Sequence, residues 1–480
     1  MNDLILIAIS FLYIFLVIGL ASIVDRSSKE KTEVPRKLIH ILVGNWIFLG
    51  PLFDNYWTMI FTPLAFVILN YFSVKSSTFS SMEGNRDGEN FGTVYYALSL
   101  VFLSSLSYFT GKWLYALLGI LIMAYGDGLA ALFGIKYGSR NFAINPKKTR
   151  EGSFIVFMFG FLITLTLPLY YFKSIRIPFI YFLIIAFVNG LYSFILELSG
   201  ENGLDNLLLP IGSGLLGGLL IYHPFKGLFI TLALSFAILF LAYRKRSISL
   251  DGAAVALITG AILYYCGGVY VYLALIGFFI LGSLVSKISN SYKETVKKKS
   301  SEAKGRNSIQ VLSNSLPALI FSFLYYISSD SLYLLLAFVI FAGASADTFG
   351  SEIGSLSKRK VISLVGFREV PRGLSGGVSL LGLIASALGA LILSLFAYPD
   401  FGKSGLIFCA SLGFIGSLID SILGALIQRK YRTKEGILSD FPANLGDEPV
   451  MGLEFVSNNT VNLLTLSILG LLAYYLLNFL

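Results

Sequence analysis

The sequence predicts an all-α polytopic membrane protein of about 14–16 transmembrane helices in two remotely similar bundles. Three observations carry this. Hydrophobic residues are 56% of the 480 and charged residues 13%, with mean hydropathy +0.78. A soluble domain sits near roughly 45–50% apolar and about 25% charged. Apolar runs of spanning length recur from end to end, and they are continuous rather than alternating, which excludes a β-barrel. Two stretches, beginning at Asp127 and Asp347, look like distant copies of each other: each Asp ends an apolar run, a basic loop follows, and a basic–Gly–Ser segment opens the next run.

Taken in order, spans are expected at residues 3–24, 38–53, 56–72, 94–110, 113–134, 153–172, 177–197, 204–222, 227–243, 250–266, 269–286, 309–327, 332–349, 375–398, 405–428 and 461–479. The first lacks a basic leader and a small-residue cleavage site, so it reads as a retained helix. Cys266 and Cys409, the only cysteines, lie far apart in or beside apolar spans and suggest neither a disulfide framework nor a thiolate metal site. Loops 25–37, 73–93, 135–152, 199–203, 244–249, 287–308, 350–373 and 429–460 hold 31 of the 36 Lys and Arg residues. The positive-inside rule puts them in the cytoplasm and both termini outside, in what is expected to be a prokaryotic plasma membrane. The net charge of +9 therefore reports orientation and implies no nucleic-acid partner. The basic segment Tyr243-Arg244-Lys245-Arg246-Ser247 divides the chain into expected domains 1–246 and 247–480.

In the first domain Arg36, Lys37 and His40 fall within one helical turn. They fit either a positive-inside flank with a snorkelling lysine or a phosphate clamp. Asp127 closes the run from Trp113 between Gly126 and Gly128, and an acid at such depth marks function by default. Lys147, Lys148, Thr149, Glu151 and Gly152 follow on the same face. Lys and Thr suit phosphate oxygens, and Asp127 with Glu151 suits Mg²⁺, which takes carboxylates together with phosphate oxygens. Glu197-Leu198-Ser199-Gly200 and Gly203-Leu204-Asp205-Asn206 complete the set; Asp205 also fits a helix cap. No phosphate-binding P-loop motif is present. The nearest fragment, Gly402-Lys403-Ser404, has Ala397 where the motif needs Gly.

These motifs together resemble a known family. Asp127-x-x-Ala130-x3-Gly134-x3-Gly138, followed by Lys147-Lys148-Thr149-x-Glu151-Gly152, is similar to the CTP-binding signature of dolichol kinases and their phytol kinase relatives. Arg36-Lys37-x-x-His40 and Gly203-Leu204-Asp205-Asn206-x3-Pro210 match as well. The resemblance covers about 30–225 and implies CTP-dependent, Mg²⁺-assisted phosphorylation of a polyisoprenoid alcohol; the short length looks more like the phytol kinases.

In the second domain Asn307, Gln310 and Asn314 share one helical face, which suits either substrate binding or hydrogen bonding between helices. Asp347 and Glu352 stand near a helix end and are expected to hold metal. Arg306 and Asn307, and Arg372 with Ser375 and Gly376 at a helix start, are expected to bind phosphate. Asp420 lies inside an apolar run, and Asn458, Asn459 and Asn462 open the last helix. Asp347-Thr348-x-x-Ser351-Glu352-Ile353-Gly354, Pro371-Arg372-Gly373-Leu374-Ser375-Gly376-Gly377, Gly416-Ser417-Leu418-Ile419-Asp420 and Asn458-Asn459-x-Val461-Asn462 resemble a membrane family, long a domain of unknown function, that includes plant phytyl-phosphate kinase. That resemblance covers about 249–480. Asp251 departs from it, standing where small residues are expected.

The two resemblances imply a bifunctional kinase: prenyl alcohol (phytol, geranylgeraniol or similar) to monophosphate, then monophosphate to diphosphate. Catalysis is assigned to Asp127, Glu151, Asp205, Asp347, Glu352 and Asp420. Nucleotide and phosphate binding goes to Arg36, Lys37, His40, Lys147, Lys148, Thr149, Gly152, Asn206 and the second-domain set above. Substrate binding goes to Gln310, Asn314, Asn458 and Asn462. A cytidylyltransferase that forms a CDP-lipid uses the same nucleotide and setting. A prenyl-phosphate transporter would also show internal similarity, although transporter sites lie near the midplane and most of these motifs lie at one face.

Overall fold

Inside a bilayer a long apolar run must satisfy its backbone internally, and a helix does so within one segment. The computed structural model of this chain forms those helices. It describes residues 2–27, 33–76, 91–143, 145–171, 178–200, 203–224, 226–288, 305–432, 438–442 and 449–479. Lys304 and parts of loops 73–93, 287–308 and 429–460 lie outside the described residues. Among the described residues thirteen helices are long and apolar enough to cross a membrane.

Glycine reconciles thirteen with the larger expected number. The helix Leu250–Val285 has 36 residues, which at about 1.5 Å per residue is nearly twice the hydrocarbon thickness. It breaks at Gly268, whose φ is +82°, a backbone state that costs glycine no steric penalty. The stretch Leu380–Leu426 likewise breaks at Gly402, with φ +61°. The expected span 38–53 is instead a short helix, Val34–Gly44, followed by 3₁₀ turns Asn45–Phe48 and Gly50–Leu52, where Pro51 removes a backbone donor.

The chain folds as two units, Met1–Lys226 and Gly227–Leu480. The boundary falls before the basic segment at 244–246, because the helix Lys226–Arg244 packs with the second unit. Its Ser235 hydroxyl bonds Tyr272 at 2.9 Å, and Leu239 and Ala242 join Ile248 in an apolar cluster with Phe279.

The first unit comprises α1 (Asp3–Ser27), α2 (Val34–Gly44), α3 (Tyr56–Ser76), α4 (Gly92–Thr110), α5 (Leu114–Leu121), α6 (Gly128–Tyr137), α7 (Arg150–Tyr171), α8 (Phe179–Ser199) and α9 (Asp205–Tyr222). At its centre is α5, buried without interruption from 114 to 124. Helix α9 lies directly on it: a Cβ at Gly119 would stand 2.2 Å from the Pro210 carbonyl oxygen, and one at Gly214 2.4 Å from that of Tyr115. A π-helical turn, Ile122–Asp127, joins α5 to α6. Such an extra residue per turn re-aims side chains and frequently occurs at functional sites.

The second unit comprises α10 (Lys226–Arg244), α11 (Leu250–Val285), α12 (Ser308–Ser328), α13 (Ser331–Gly354), α14 (Leu380–Ser394), α15 (Tyr398–Leu426) and α16 (Asn458–Phe479). Its centre is α13, buried from 334 to 346 and packed against α11, α12, α14, α15 and α16. Between α13 and α14, β1 (Ile362–Ser363) pairs antiparallel with β2 (Gly377–Val378). A second small hairpin, β3 (Tyr431–Arg432) and β4 (Leu438–Ser439), follows α15. The helix expected to open at 375 begins at Leu380, where Ser379 accepts from the Gly382 N–H at 3.1 Å as N-cap.

The units share one arrangement. A buried central helix runs to an Asp, a hairpin-like loop follows, and the next helix crosses on small residues. In the first unit the loop is pinned by an Asn141–Thr149 bridge, and a Cβ at Gly152 would meet the Ala130 carbonyl oxygen at 2.8 Å. In the second, a Cβ at Gly354 would meet the Gly382 Cα at 3.1 Å.

Candidate active sites

In the first unit the π turn delivers Asp127 to the end of α2. Lys37 donates to Asp127 Oδ2, and both side chains are almost fully buried, 5% and 6% exposed. One turn on, His40 places Nε2 3.5 Å from the same carboxylate oxygen. Its ring stacks on Tyr96, with centroids 4.3 Å apart, and Tyr96 donates to the His40 carbonyl oxygen at 3.2 Å.

The loop before α7 supplies Lys148. Its ammonium bonds Glu197 Oε1, at the end of α8, and Asp205 Oδ2 at 2.7 Å, at the start of α9. Burial opposes the charge on Lys148, but Asp205 and Glu197 outweigh it and hold the pKa well above the usual lysine range. Asn145 anchors the loop by donating to the carbonyls of Leu198 and Gly200 at 3.2 and 3.3 Å. Oxygens of Asp127, Glu197 and Asp205 all lie within 4.8 Å of one another. Among the described residues this is the one group of three such acids, and against Lys37 and Lys148 it carries one negative charge in excess.

The remaining expected residues divide into several roles. Asn206 is buried and donates to the Gly92 carbonyl at 2.8 Å. Arg36 pairs with Glu33 at 2.7 Å. Thr149 caps α7, accepting from the Gly152 N–H at 3.2 Å, and Gly152 permits the close α6–α7 crossing, so both shape the site rather than face it. Lys147 is exposed. Glu151 does not join the acidic group: its Oε1 accepts from Ser139 at 2.6 Å. Glu197 stands in its place.

A mostly apolar groove adjoins this cluster at His40. Arg36, His40 and Asn206 line it together with Ile39, Val43, Trp46, Phe66, Ala97 and Leu100, and with Thr62, Asn70 and Thr93.

In the second unit Asp347 stands where two cavities meet. One is lined by Lys245, Arg246, Lys287, Arg306, Gln310, Asn314, Glu352, Asn458 and Asn462. The other is lined by Ser375, Gly376, Gly377, Ser379, Ser417 and Asp420. Asp347 and Asp420 both line this second cavity and stand close enough to interact; two acids so close share a proton or a cation. Thr465 donates to Asp420 Oδ2 at 3.1 Å, and Ser286 to Glu352 Oε1 at 2.6 Å. Asn462 donates to Asn314 Oδ1 at 3.3 Å.

Several expected ligands here are engaged in the fold. Asn307 and Gln310 form a capping box, bonding each other's backbone N–H at 2.9 and 3.1 Å. Arg372 donates to the Lys358 carbonyl at 2.6 Å and is exposed, lining neither cavity. Ser375 gives its N–H and hydroxyl to Asp440 Oδ2 at 2.8 and 2.9 Å. Gly376, at φ +88°, lets the loop touch Ala425. Burial raises the pKa of Asp440, opposed by the Ser375 bonds. Asp251 has a structural role: its Oδ2 accepts from the Ser308 N–H at 2.8 Å at the start of α12.

A model described as integral membrane protein DUF92 matches residues 233–470. The chain belongs to the integral membrane DUF92 family. A membrane protein of uncharacterised role from Methanocaldococcus jannaschii is 34% identical over 45% of this chain and 88% of its own length. A phytol kinase of Synechocystis is 30% identical over 42% of this chain and 86% of its own length. Phytol kinase 1 of Arabidopsis thaliana is 31% identical over 33% of this chain and 55% of its own length. This DUF92 protein is therefore also a homologue of membrane kinases. No solved structure matches it.

Three features escaped sequence reasoning. Glu197 lies in a quoted motif, but nothing along the chain paired it with Lys148. Asp440 belongs to no motif. Lys245 and Arg246, in the basic segment read as a divider, line the cavity beside Asp347.

Proposed function

We propose that the protein is a bifunctional membrane kinase. The first unit transfers phosphate from CTP to a prenyl alcohol, and the second phosphorylates the monophosphate to the diphosphate, with the site loops on the cytoplasmic side. The observation that carries this reading is the buried charge cluster of the first unit beside a mostly apolar groove, supported by the phytol kinase relatives. An isoprenoid tail suits the groove, and its hydroxyl then lies at His40.

Asp127, Glu197 and Asp205 fit Mg²⁺. They offer hard oxygens, and the buried Glu197 Oε2 has no hydrogen-bond partner. Bound there, the ion neutralises charge on the transferred phosphoryl group. The chain's own groups do the rest. Lys148 and Arg36 hold phosphate oxygens. The alcohol oxygen attacks the γ-phosphorus, the bond to CDP breaks, and the hydroxyl proton passes to His40 Nε2. Asp127, 3.5 Å from that nitrogen, stabilises the imidazolium.

In the second unit Asp347 and Asp420 form the acidic centre and would hold the second Mg²⁺, with Glu352 beside it. The cationic and amide walls of the adjoining cavity suit the phosphates of nucleotide and lipid.

Purified protein with radiolabelled CTP and a panel of prenyl alcohols and monophosphates tests this. The expected products are monophosphate, diphosphate and CDP. Release of inorganic diphosphate with a CMP-bearing lipid would instead show a cytidylyltransferase.

A further inference from the structure

The Lys148 ammonium lies between two of the three carboxylates that the proposed function gives to the divalent ion. It bonds Glu197 Oε1 and Asp205 Oδ2, and oxygens of those residues and of Asp127 lie within 4.8 Å of one another. Two further atoms at this cluster are buried without a hydrogen bond, Glu197 Oε2 and His40 Nε2, in residues only 2% and 9% exposed. Such atoms are costly unless another state of the site uses them. The acids sit on the helical backbone, Asp127 in the π turn, Glu197 at the end of α8 and Asp205 at the start of α9, whereas the Lys148 ammonium stands at the tip of a long rotatable stem in the loop before α7.

We infer that Lys148 is the resident counter-cation of the divalent-ion site: the ion displaces it from Glu197 and Asp205, and the freed ammonium goes to the nucleotide phosphates. This rests on the proposed function for the identity of the nucleotide but not for the competition itself. One positive charge guards the acids while the site is empty of metal. The arriving ion takes over the acids and releases a phosphate ligand in the same event. The affinity for free metal is lowered by the fraction of molecules in which Lys148 occupies the acids, so the site favours a metal that arrives with phosphate to receive the lysine.

The test is Mn²⁺ binding, read by loss of the free-ion EPR signal, on purified full-length protein without nucleotide. An Asp347→Asn background suppresses the acids of the second unit. Lys148→Met, which keeps the stem and deletes the charge, and Lys148→Ala are compared with the parent. Both are expected to bind Mn²⁺ about tenfold or more tightly than the parent, and Mn²⁺ is expected to raise their melting temperatures more than the parent's. Variants that fold only when Mn²⁺ is present also support the inference, because the ion then replaces the missing charge. Unchanged or weaker Mn²⁺ binding in folded variants overturns it. Failure of both variants to fold with or without Mn²⁺ overturns it too, since Lys148 would then be a fixed structural cation. Tighter Mn²⁺ binding in the variants, alongside a parent with Lys148 intact that phosphorylates no prenyl alcohol, would keep the inference and refute the kinase reading.

Discussion

Replacing Asp127 with Asn removes one charge and almost no volume, and the structure sets what this costs. Lys37 is 4% exposed, and its ammonium bonds Asp127 alone among the described residues, through Oδ2 and, at 3.5 Å, the backbone oxygen. Asp127→Asn therefore strands a buried cation, and breaking one side of such a pair costs about 3–5 kcal/mol. At about 2–4 °C per kcal/mol for a domain of this size, the melting temperature should fall by roughly 6–20 °C. Adding Lys37→Met removes the stranded charge and should recover about 2–3 kcal/mol, because contacting pairs are strongly non-additive. The assay is thermal unfolding in detergent of the parent, both single variants and the double, with both phosphorylation activities measured on each. All three variants should lose alcohol phosphorylation and keep monophosphate phosphorylation. Additive losses of stability, or an Asp127→Asn protein that still makes monophosphate at nearly the parent rate, would refute the assignment of this pair.

Four further outcomes are expected. Asp347→Asn should accumulate monophosphate without diphosphate when given alcohol and CTP; normal diphosphate output would make that carboxylate structural, and loss of both activities would show that the sites are not independent. Ala97→Phe fills the apolar groove and should shift preference toward shorter prenyl alcohols, read as a ratio of kcat/KM values; an unchanged ratio would place the tail elsewhere. Burial, and then the Lys112 charge, depress the pKa of His223 to about 4, so the unfolded chain binds the proton more readily and stability should fall as pH drops from about 6.5 toward 4. His223→Gln should flatten that part of the stability curve, and an identical pH profile would contradict it. Single cysteines at positions 140 and 359, in a background lacking Cys266 and Cys409, should each be labelled only from the cytoplasmic side; labelling from outside intact cells would overturn the orientation.

The sequence by itself determined the helices and the charged groups at their ends. Membrane burial forces long apolar runs into helices, so the spans from 3–24 to 461–479 could be read off. Only one of them, 38–53, became a short helix with 3₁₀ turns. The cost of an unpaired charge in that setting marks Asp127, Asp347 and Asp420. Lys148 and Asp205 were legible too, because their motifs sit at the same membrane face. The tertiary structure decided partnership. The first cluster draws on α2, the π turn, the loop before α7, the end of α8 and the start of α9, and no periodicity along one helix reports which others pack against it. That is why Glu197 replaced Glu151 beside Asp127, and why Lys37 proved to be the partner of an acid. Packing also explained residues that look like ligands from type alone. Thr149, Asn307, Gln310 and Asp251 satisfy backbone N–H groups at helix starts, a demand that phosphate binding also makes, so sequence alone does not separate the two roles. Arg372 went to a backbone carbonyl of its own loop, while Lys245 and Lys287 line the cavity beside Asp347. Charge near a motif is visible in one dimension; whether it faces the site depends on how the chain returns to it.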